Sequence, residues 1–320
     1  MKKNFFINLK STLLILILAS TLNCSGKKLT YDQIDYGFPV KYFQFNSMER
    51  MAYVDEGTGN NTILIIHGIG NYIKFYTPQI TFLKASNRVI AVDLPGYGKT
   101  GFRDFSYNID YHVESVISLI MGLKLNNVIL TGHSYGAMVA LDVFLKSPKN
   151  VIKKLILLGP AGLREAKEDE INTILGFVNE NEKINDNTVK RSFARQVENN
   201  TQLVEAYLDE VIALTNSGEY KKTFITRTRV LRSVVPLLKT FHNKFNYIRI
   251  PILVIVGNQD RIVPISVIRQ QERQTVEQYF KSLESLNPYS TVKIIEKCGH
   301  LLTIEQPDEV NKMINEFIKS

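Results

Sequence analysis

Residues 132–136, Gly-His-Ser-Tyr-Gly, place a serine where it could act as a nucleophile. They follow the apolar run 128–130, so the pattern predicts a buried strand, a sharp turn at Ser134 and a helix that begins at the next residue. Small residues two before and two after the serine leave room for a strained backbone. The hydroxyl would then stand above the sheet, at the positive end of the following helix.

A serine hydroxyl is a weak nucleophile until a base takes its proton, so a histidine has to lie within hydrogen-bond reach. Of the five histidines, His300 follows the last predicted strand, residues 292–295. Asp260 follows the strand predicted at 250–256 and could fix the tautomer of the imidazole. Because the carboxyl ends of parallel strands meet at one edge of a sheet, these side chains are expected to lie near Ser134.

Apolar strands alternate with helical patterns along much of the chain, which predicts a parallel sheet covered by helices on both faces. Alternating residues at 40–45 and 51–55 predict an antiparallel hairpin at one edge. From about residue 163 to 249 the pattern is helical, without a convincing strand. The other expected segments are strands at 62–66, 88–92, 127–130, 155–158, 250–256 and 292–295, and helices at 109–123, 137–145, 264–286 and 307–318.

These motifs resemble those of the α/β-hydrolases from about residue 36 to the end of the chain. Residues 132–136 are similar to the family's nucleophile elbow, and 257–264 match its Gly-x-x-Asp-x-x-x-Pro motif. Gly299-His300 matches the family's Gly-His after the last strand, and the order serine, aspartate, histidine is also the family's own. The resemblance implies an α/β fold with an eight-stranded, mostly parallel sheet, helices on both faces and an inserted helical cap.

The same resemblance implies a role for each site residue. Ser134 would be the nucleophile, His300 the base and Asp260 the acid that orients the imidazole. The backbone N–H groups of Ile69 and Tyr135 would form the oxyanion hole. By this division the hydrolase core occupies residues 36–162 and 250–320, and the cap occupies 163–249. No cofactor is needed for such chemistry.

The function we expect is hydrolysis of a carboxylic ester of a small molecule through an acyl-enzyme, as in a carboxylesterase or lipase. A serine in the elbow argues against the branches of the fold that carry aspartate there. Two alternatives stay open. One is hydrolysis of another bond with the same triad, either a carbon–carbon bond or an N-terminal peptide bond. The other is a surface-anchored binding protein that has lost catalysis.

The N-terminus resembles a bacterial lipoprotein signal peptide. Lysines 2, 3 and 10 precede the apolar run 13–19, and Cys24 follows shortly after it. The run is shorter than the about 20 residues that usually span a bilayer. Residues 1–23 would be removed, Cys24 would carry the lipid, and residues 24–35 would form a tether that holds an exported protein on a membrane. An ordinary signal peptide and an uncleaved anchor are the alternatives.

Charge and cysteine content exclude few functions. The formal charge of +8 becomes +5 without the three lysines of residues 1–23, which suits an anionic membrane surface. No basic motif with interleaved aromatic residues suggests a nucleic-acid partner, and no Cys/His cluster suggests a metal. With only Cys24 and Cys298 in the chain, a lipidated Cys24 leaves no disulfide, and Cys298 is expected to be a buried thiol.

The cap sequence is unevenly charged. Residues 164–210 contain 6 basic and 11 acidic residues, a net charge of −5, whereas residues 217–249 contain 8 basic and 1 acidic, a net charge of +7. The basic half could face anionic lipid or guide acidic substrates, or the two halves could pair with each other or with solvent.

Other residues are expected to be structural. His67 and His133 should pack and form local hydrogen bonds, His112 should lie on a surface helix, and His242 should lie in the cap. The aromatic segment 72–76 could line a pocket or belong to the core.

Overall fold

The computed structural model describes residues 27–180, 184–264 and 275–320. The eight strands form one sheet in the order β1-β2-β4-β3-β5-β6-β7-β8, antiparallel at β1–β2 and β2–β4 and parallel elsewhere. The strands are β1 (Lys41–Gln44), β2 (Arg50–Glu56), β3 (Thr62–Ile66), β4 (Arg88–Val92), β5 (Val128–His133), β6 (Ile152–Leu158), β7 (Ile252–Gly257) and β8 (Ser290–Ile295). The mostly parallel eight-stranded sheet and its edge hairpin are confirmed.

Ten α-helices lie in the described ranges. They are α1 (Thr77–Leu83), α2 (Ile109–Gly122), α3 (Tyr135–Lys146), α4 (Glu168–Glu180), α5 (Asp186–Ala194), α6 (Gln202–Asn216), α7 (Glu219–Val234), α8 (Val276–Leu286), α9 (Leu302–Glu305) and α10 (Pro307–Lys319). Short 3-10 helices occupy Tyr31–Gln33, Ile73–Tyr76, Gly98–Thr100, Val235–Lys239 and Phe241–Tyr247. The expectation of one helix from Pro264 to residue 286 is wrong, because α8 begins at Val276: Thr275 is extended, and its side-chain oxygen accepts from the Gln278 amide and caps the helix. Residues 265–274 lie outside the described part.

The central strands are apolar throughout because they are covered on both faces. Every residue of β3, β5 and β7 is buried. Two hydrophobic clusters, one on each side of the sheet, account for this pattern. Tyr72 and Phe75 belong to one of them with 0% and 2% exposure, so the aromatic side chains of the segment 72–76 are part of the core.

His112 lies on α2, which has exposed residues such as Asp110 and Glu114 as expected of a surface helix, but the imidazole itself faces the core. It is fully buried on the inner face of α2, beside Val113 and Val116. Burial is tolerated because both ring nitrogens have partners. Nε2 donates to the Pro95 carbonyl at 3.0 Å, and Nδ1 accepts from the Tyr135 hydroxyl at 2.8 Å.

The helices α4–α7 lie between β6 and β7 and form the inserted helical cap over the carboxyl edge of the sheet. The Tyr207 hydroxyl of α6 donates to the Lys74 carbonyl at 2.6 Å, and the Tyr72 hydroxyl donates to Glu210 at 2.5 Å. The connection between α5 and α6 also contacts the loop after β8. These contacts place the cap above the loops that follow β3 and β8.

Residues 1–26, which contain the expected signal peptide and Cys24, lie outside the described residues. Within the part of the chain that is described, no helix combines the length and hydropathy needed to cross a bilayer.

Candidate active site

Ser134 occupies a strained turn between β5 and α3. Its φ of 53° and ψ of −116° are unusual for a residue other than glycine. The turn is tight: an ideal Cβ on Gly136 would lie 2.5 Å from the His67 carbonyl oxygen, and one on Gly132 would lie 2.3 Å from that of Gly136. The amide of Ser134 donates to the Leu158 carbonyl at 2.8 Å, which ties the turn to β6.

Asp260 and His300 form a buried hydrogen-bonded pair. Nδ1 of His300 lies 2.7 Å from Oδ2 of Asp260, and the two side chains are 4% and 0% exposed. The other carboxylate oxygen accepts from the amides of Ile262 and Val263 at 2.7 and 2.9 Å. A carboxylate held in this way keeps the proton of a neutral imidazole on Nδ1, so Nε2 is left as the basic nitrogen.

The loop that carries His300 is held from two sides. The amides of His300 and Leu301 donate to the Gln196 carbonyl of the cap at 2.7 and 3.0 Å. From the core side, Nε2 of His133 donates to the His300 carbonyl at 2.9 Å. The position of His300 therefore depends on both the cap and the residue that precedes Ser134.

Ser134 and His300 lie at the same edge of the sheet but are not hydrogen-bonded to each other in the described structure. The ring of His133 packs against that of His300, with the two centroids 4.9 Å apart. Ser134 is buried, with 8% of the residue's surface exposed. Catalytic hydrogen bonds are often long before substrate binds and shorten in the complex.

The loop after β3 is arranged so that one amide is free. The carbonyl of Gly68 accepts from Nδ1 of His67 at 2.7 Å and from the amide of Asn71 at 3.1 Å. Because the peptide unit is planar and trans, the N–H of Ile69 points opposite to that carbonyl. The amide of Ile69 makes no hydrogen bond to another described residue.

This loop lies against the serine. An ideal Cβ on Gly68 would lie 3.2 Å from Cβ of Ser134 and 2.8 Å from Nδ1 of His133, so a larger residue would separate the two segments. Tyr135 begins α3, and its amide has no partner among the described residues. The free amides of Ile69 and Tyr135 thus flank the serine, as an oxyanion hole requires.

The histidines at 67 and 133 hold the site in place. Nε2 of His67 accepts from the Leu94 amide at 3.0 Å, so the loops after β3 and β4 are joined through its ring. Burial lowers the pKa of His67 to about 4 and that of His133 to about 3, so both are neutral near pH 7. Their hydrogen bonds support the structural role expected for both residues. The Gln196 contact to the loop of His300 had no signal in the sequence.

Cys298 is 0% exposed, and burial raises the pKa of its thiol, so it is an unreactive packing residue. In the described ranges no group of His, Cys, Asp and Glu side chains is arranged to hold a metal ion.

Residues 63–313 match the alpha/beta hydrolase family, so the chain belongs to that family and is a hydrolase. The chain is similar to 2-hydroxy-6-oxononadienedioate/2-hydroxy-6-oxononatrienedioate hydrolase of Paraburkholderia phymatum, with 25% identity over 84% of this chain and 91% of that one. It is also 26% identical to the dihydrolipoyllysine-residue acetyltransferase component of the acetoin cleaving system of Pseudomonas putida. That match covers 82% of this chain but 65% of the relative, which is therefore the longer protein.

Among solved structures, a probable hydrolytic enzyme from Pseudomonas aeruginosa PAO1 has a similar fold, with a TM-score of 0.76 and 19% identity. The match covers 92% of this chain and 99% of the other. At this identity the likeness concerns the fold.

Proposed function

We propose that the protein hydrolyses a carboxylic ester through an acyl-enzyme formed on Ser134. The observation that carries this proposal is the buried 2.7 Å pair of Asp260 and His300 at the sheet edge where Ser134 stands in its strained turn. The free amides of Ile69 and Tyr135 support the same chemistry, because negative charge on a carbonyl oxygen needs such donors.

In the first half of the reaction, Nε2 of His300 takes the hydroxyl proton as Oγ of Ser134 forms a bond to the ester carbonyl carbon. The carbonyl oxygen becomes an oxyanion that the amides of Ile69 and Tyr135 stabilise. Asp260 stabilises the imidazolium that results. The imidazolium then gives its proton to the leaving alcohol as the carbon–oxygen bond breaks.

In the second half, water replaces the alcohol. His300 takes a proton from the water as it attacks the acyl carbon, and a second oxyanion forms at the same amides. Collapse of this intermediate returns the proton to Oγ of Ser134 and releases the acid. The cycle balances without a cofactor.

The test is turnover of p-nitrophenyl esters of increasing acyl length by the full chain and by Ser134→Ala. A matched control is Ser285→Ala, which removes an exposed serine on α8. We expect Ser134→Ala to lose at least about 1,000-fold in kcat, since the nucleophile of a triad is lost, and Ser285→Ala to keep it. Equal turnover by Ser134→Ala would exclude the proposal, and the preferred length would separate an esterase from a lipase.

A second candidate is hydrolysis of a carbon–carbon bond, which is favoured by the similarity to hydrolases of 2-hydroxy-6-oxo dienoates. The relatives also include a pimeloyl-[acyl-carrier protein] methyl ester esterase, so they support both reactions. A 2-hydroxy-6-oxo-dienoate substrate distinguishes them. Its cleavage with Ser134-dependent kcat/KM above that of every ester would favour the carbon–carbon hydrolase.

We further propose that the protein is exported and held on a bacterial membrane by lipid on Cys24. The support is the sequence of residues 1–24 and the position of Lys27, which begins the described chain at an exposed site. Mass spectrometry of the N-terminal peptide of the full chain, purified from membranes, tests this. An unmodified Cys24 in the mature protein would exclude the anchor.

A further inference from the structure

The N-terminal segment is fixed to the cap at the junction of α6 and α7. The amide of Leu29 donates to the Ala213 carbonyl at 3.1 Å, and the Ser217 hydroxyl donates to the Leu29 carbonyl at 2.5 Å. Asn216 donates from Nδ2 to the Lys27 carbonyl at 3.3 Å. The segment therefore leaves the protein from the cap rather than from the opposite edge of the sheet.

A further contact lies just beyond this junction. The Tyr31 and Thr223 hydroxyls are 2.7 Å apart, and both residues are buried. Only residues 25 and 26 separate Cys24 from Lys27, and three peptide units reach about 11 Å at most. An acyl chain on Cys24 would therefore start within about 11 Å of Lys27, whose carbonyl is hydrogen-bonded to the cap.

Four lysines surround this exit point. Lys27 and Lys28 are exposed on the N-terminal segment, and Lys221 and Lys222 are exposed on the first turn of α7. Glu219 offsets one of them through an ion pair with Lys222 at 2.7 Å. The other three lysines form no ion pair with another described residue, and Lys221 and Lys222 belong to the basic half of the cap sequence.

The outer face of α7 also has apolar character. Thr223, Thr226 and Val230 face the interior, so the opposite side of the helix faces outward. Half-buried Phe224 and Ile225 lie towards that side and line a surface cavity of about 390 Å³ together with basic side chains of α7. Basic and apolar groups on one surface are typical of proteins that lie on anionic membranes.

The same helix contacts the active site. Cδ of Arg227 lies 3.8 Å from the position of an ideal Cβ on Gly70, which follows the free amide of Ile69. Thr223 and Arg227 are four residues apart on α7, which corresponds to about 6 Å along the axis. The exit point of the N-terminal segment and the oxyanion loop are therefore on the same side of the molecule.

We propose that the surface formed by Lys27, Lys28, Lys221 and Lys222 lies against an anionic membrane, so that the enzyme takes its ester from that membrane. This inference rests on the proposed ester hydrolysis and lipid anchor. A basic surface adds electrostatic attraction to that of the lipid anchor and determines which face of the protein lies against an anionic membrane. Each lysine near an anionic surface favours binding by about fivefold.

The first test measures orientation. The full chain is placed in vesicles of phosphatidylcholine and phosphatidylglycerol, with a fluorophore on Lys221→Cys or, as control, on Lys149→Cys. Lys149 is exposed in the loop before β6, at the amino edge of the sheet. We expect a quencher on the lipid headgroups to quench the label at 221 at least threefold more than the label at 149. Equal quenching, or stronger quenching at 149, would overturn the proposal.

The wild-type chain controls for the anchor, because Cys298 is buried and should not react with the dye. Labelling of wild type at Cys24 would show a free thiol there. The lipid anchor would then be absent, and the proposed orientation, which rests on the anchor, would be wrong.

The second test measures the use of a membrane ester. The double variant Lys28→Glu/Lys221→Glu is compared with Lys149→Glu/Lys153→Glu, which carries the same charge change on exposed lysines at the far edge. We expect the first to hydrolyse a long-chain ester in anionic vesicles at least tenfold more slowly, and both to hydrolyse a soluble short-chain ester at the wild-type rate. Equal losses in the two variants would overturn the proposal.

The two proposals fail in different ways. If neither ester is hydrolysed but the label at 221 is still quenched more than the label at 149, the proposal of ester hydrolysis is wrong and the proposed orientation is supported. If Ser134-dependent hydrolysis is found without a difference in quenching, the orientation fails alone.

Discussion

Replacement of Ile69 by proline would remove one of the two proposed oxyanion donors and little else. Residues 68–71 form a turn closed by the hydrogen bond from the Asn71 amide to the Gly68 carbonyl, with Gly70 at a φ of 83°. A glycine of positive φ at the third position is typical of a type II turn, in which proline is common at the second. Because the Ile69 amide has no partner among the described residues, its loss breaks no hydrogen bond of the fold.

The expected loss of kcat in Ile69→Pro follows from the number of N–H donors to the oxyanion. One of two amides is lost, and loss of one such donor usually lowers kcat by about 100- to 1,000-fold, or about 2.7 to 4 kcal/mol of transition-state stabilisation. The control is Ile69→Ala, which shortens the same half-buried side chain but keeps the amide. We expect Ile69→Ala to retain kcat within about threefold.

The assay is steady-state hydrolysis of the best p-nitrophenyl ester, with urea unfolding of both variants to measure stability. We expect Ile69→Pro to lower kcat while its free energy of unfolding stays near that of Ile69→Ala. A folded Ile69→Pro with the kcat of Ile69→Ala would refute the assignment of this amide. Equal losses in both variants would place the effect in the side chain instead.

Lowering the pH from 6 to 5 should lower the free energy of unfolding by about 3 kcal/mol, because the unfolded chain binds about two more protons than the folded one there. His67, His112 and His133 are buried and neutral in the folded protein, so each takes up a proton on unfolding. Asp93 has the opposite effect, because burial raises its pKa to about 6 and it loses a proton on unfolding. Urea unfolding at the two pH values measures this, and constant or rising stability would contradict it. Gly159→Ala should lower kcat/KM at least tenfold, since its Cβ would lie 3.2 Å from Nδ1 of His300 at a φ of +47°. The control is Gly176→Ala, which has open space around it, and wild-type kinetics in Gly159→Ala would contradict the reasoning.

The sheet could be predicted from the sequence because its signals are local. Apolar runs such as 62–66 and 88–92 have the strand bounds observed, and the glycines around Ser134 specify its turn. The motif containing Asp260 and the Gly-His at 299–300 indicated two residues that the structure joins by a hydrogen bond.

The contacts that support the site from behind, such as those of His112 and Gln196, could not be predicted because they join segments that are distant in the sequence. His112 reads as part of an amphipathic helix, and its burial depends on the Pro95 carbonyl and the Tyr135 hydroxyl. The Gln196 carbonyl meets the loop of His300 only when the cap is folded over the sheet. A backbone acceptor of this kind leaves no side-chain signal in a sequence.

The central claim is that Ser134 is the nucleophile, and covalent labelling tests it most directly. The full chain is treated with a fluorophosphonate, and the modified residue is located by mass spectrometry, with Ser134→Ala and Ser285→Ala treated in parallel. We expect one adduct on Ser134 in wild type and in Ser285→Ala, and none in Ser134→Ala. An adduct on another residue, or a folded wild-type protein that takes no label, would contradict it.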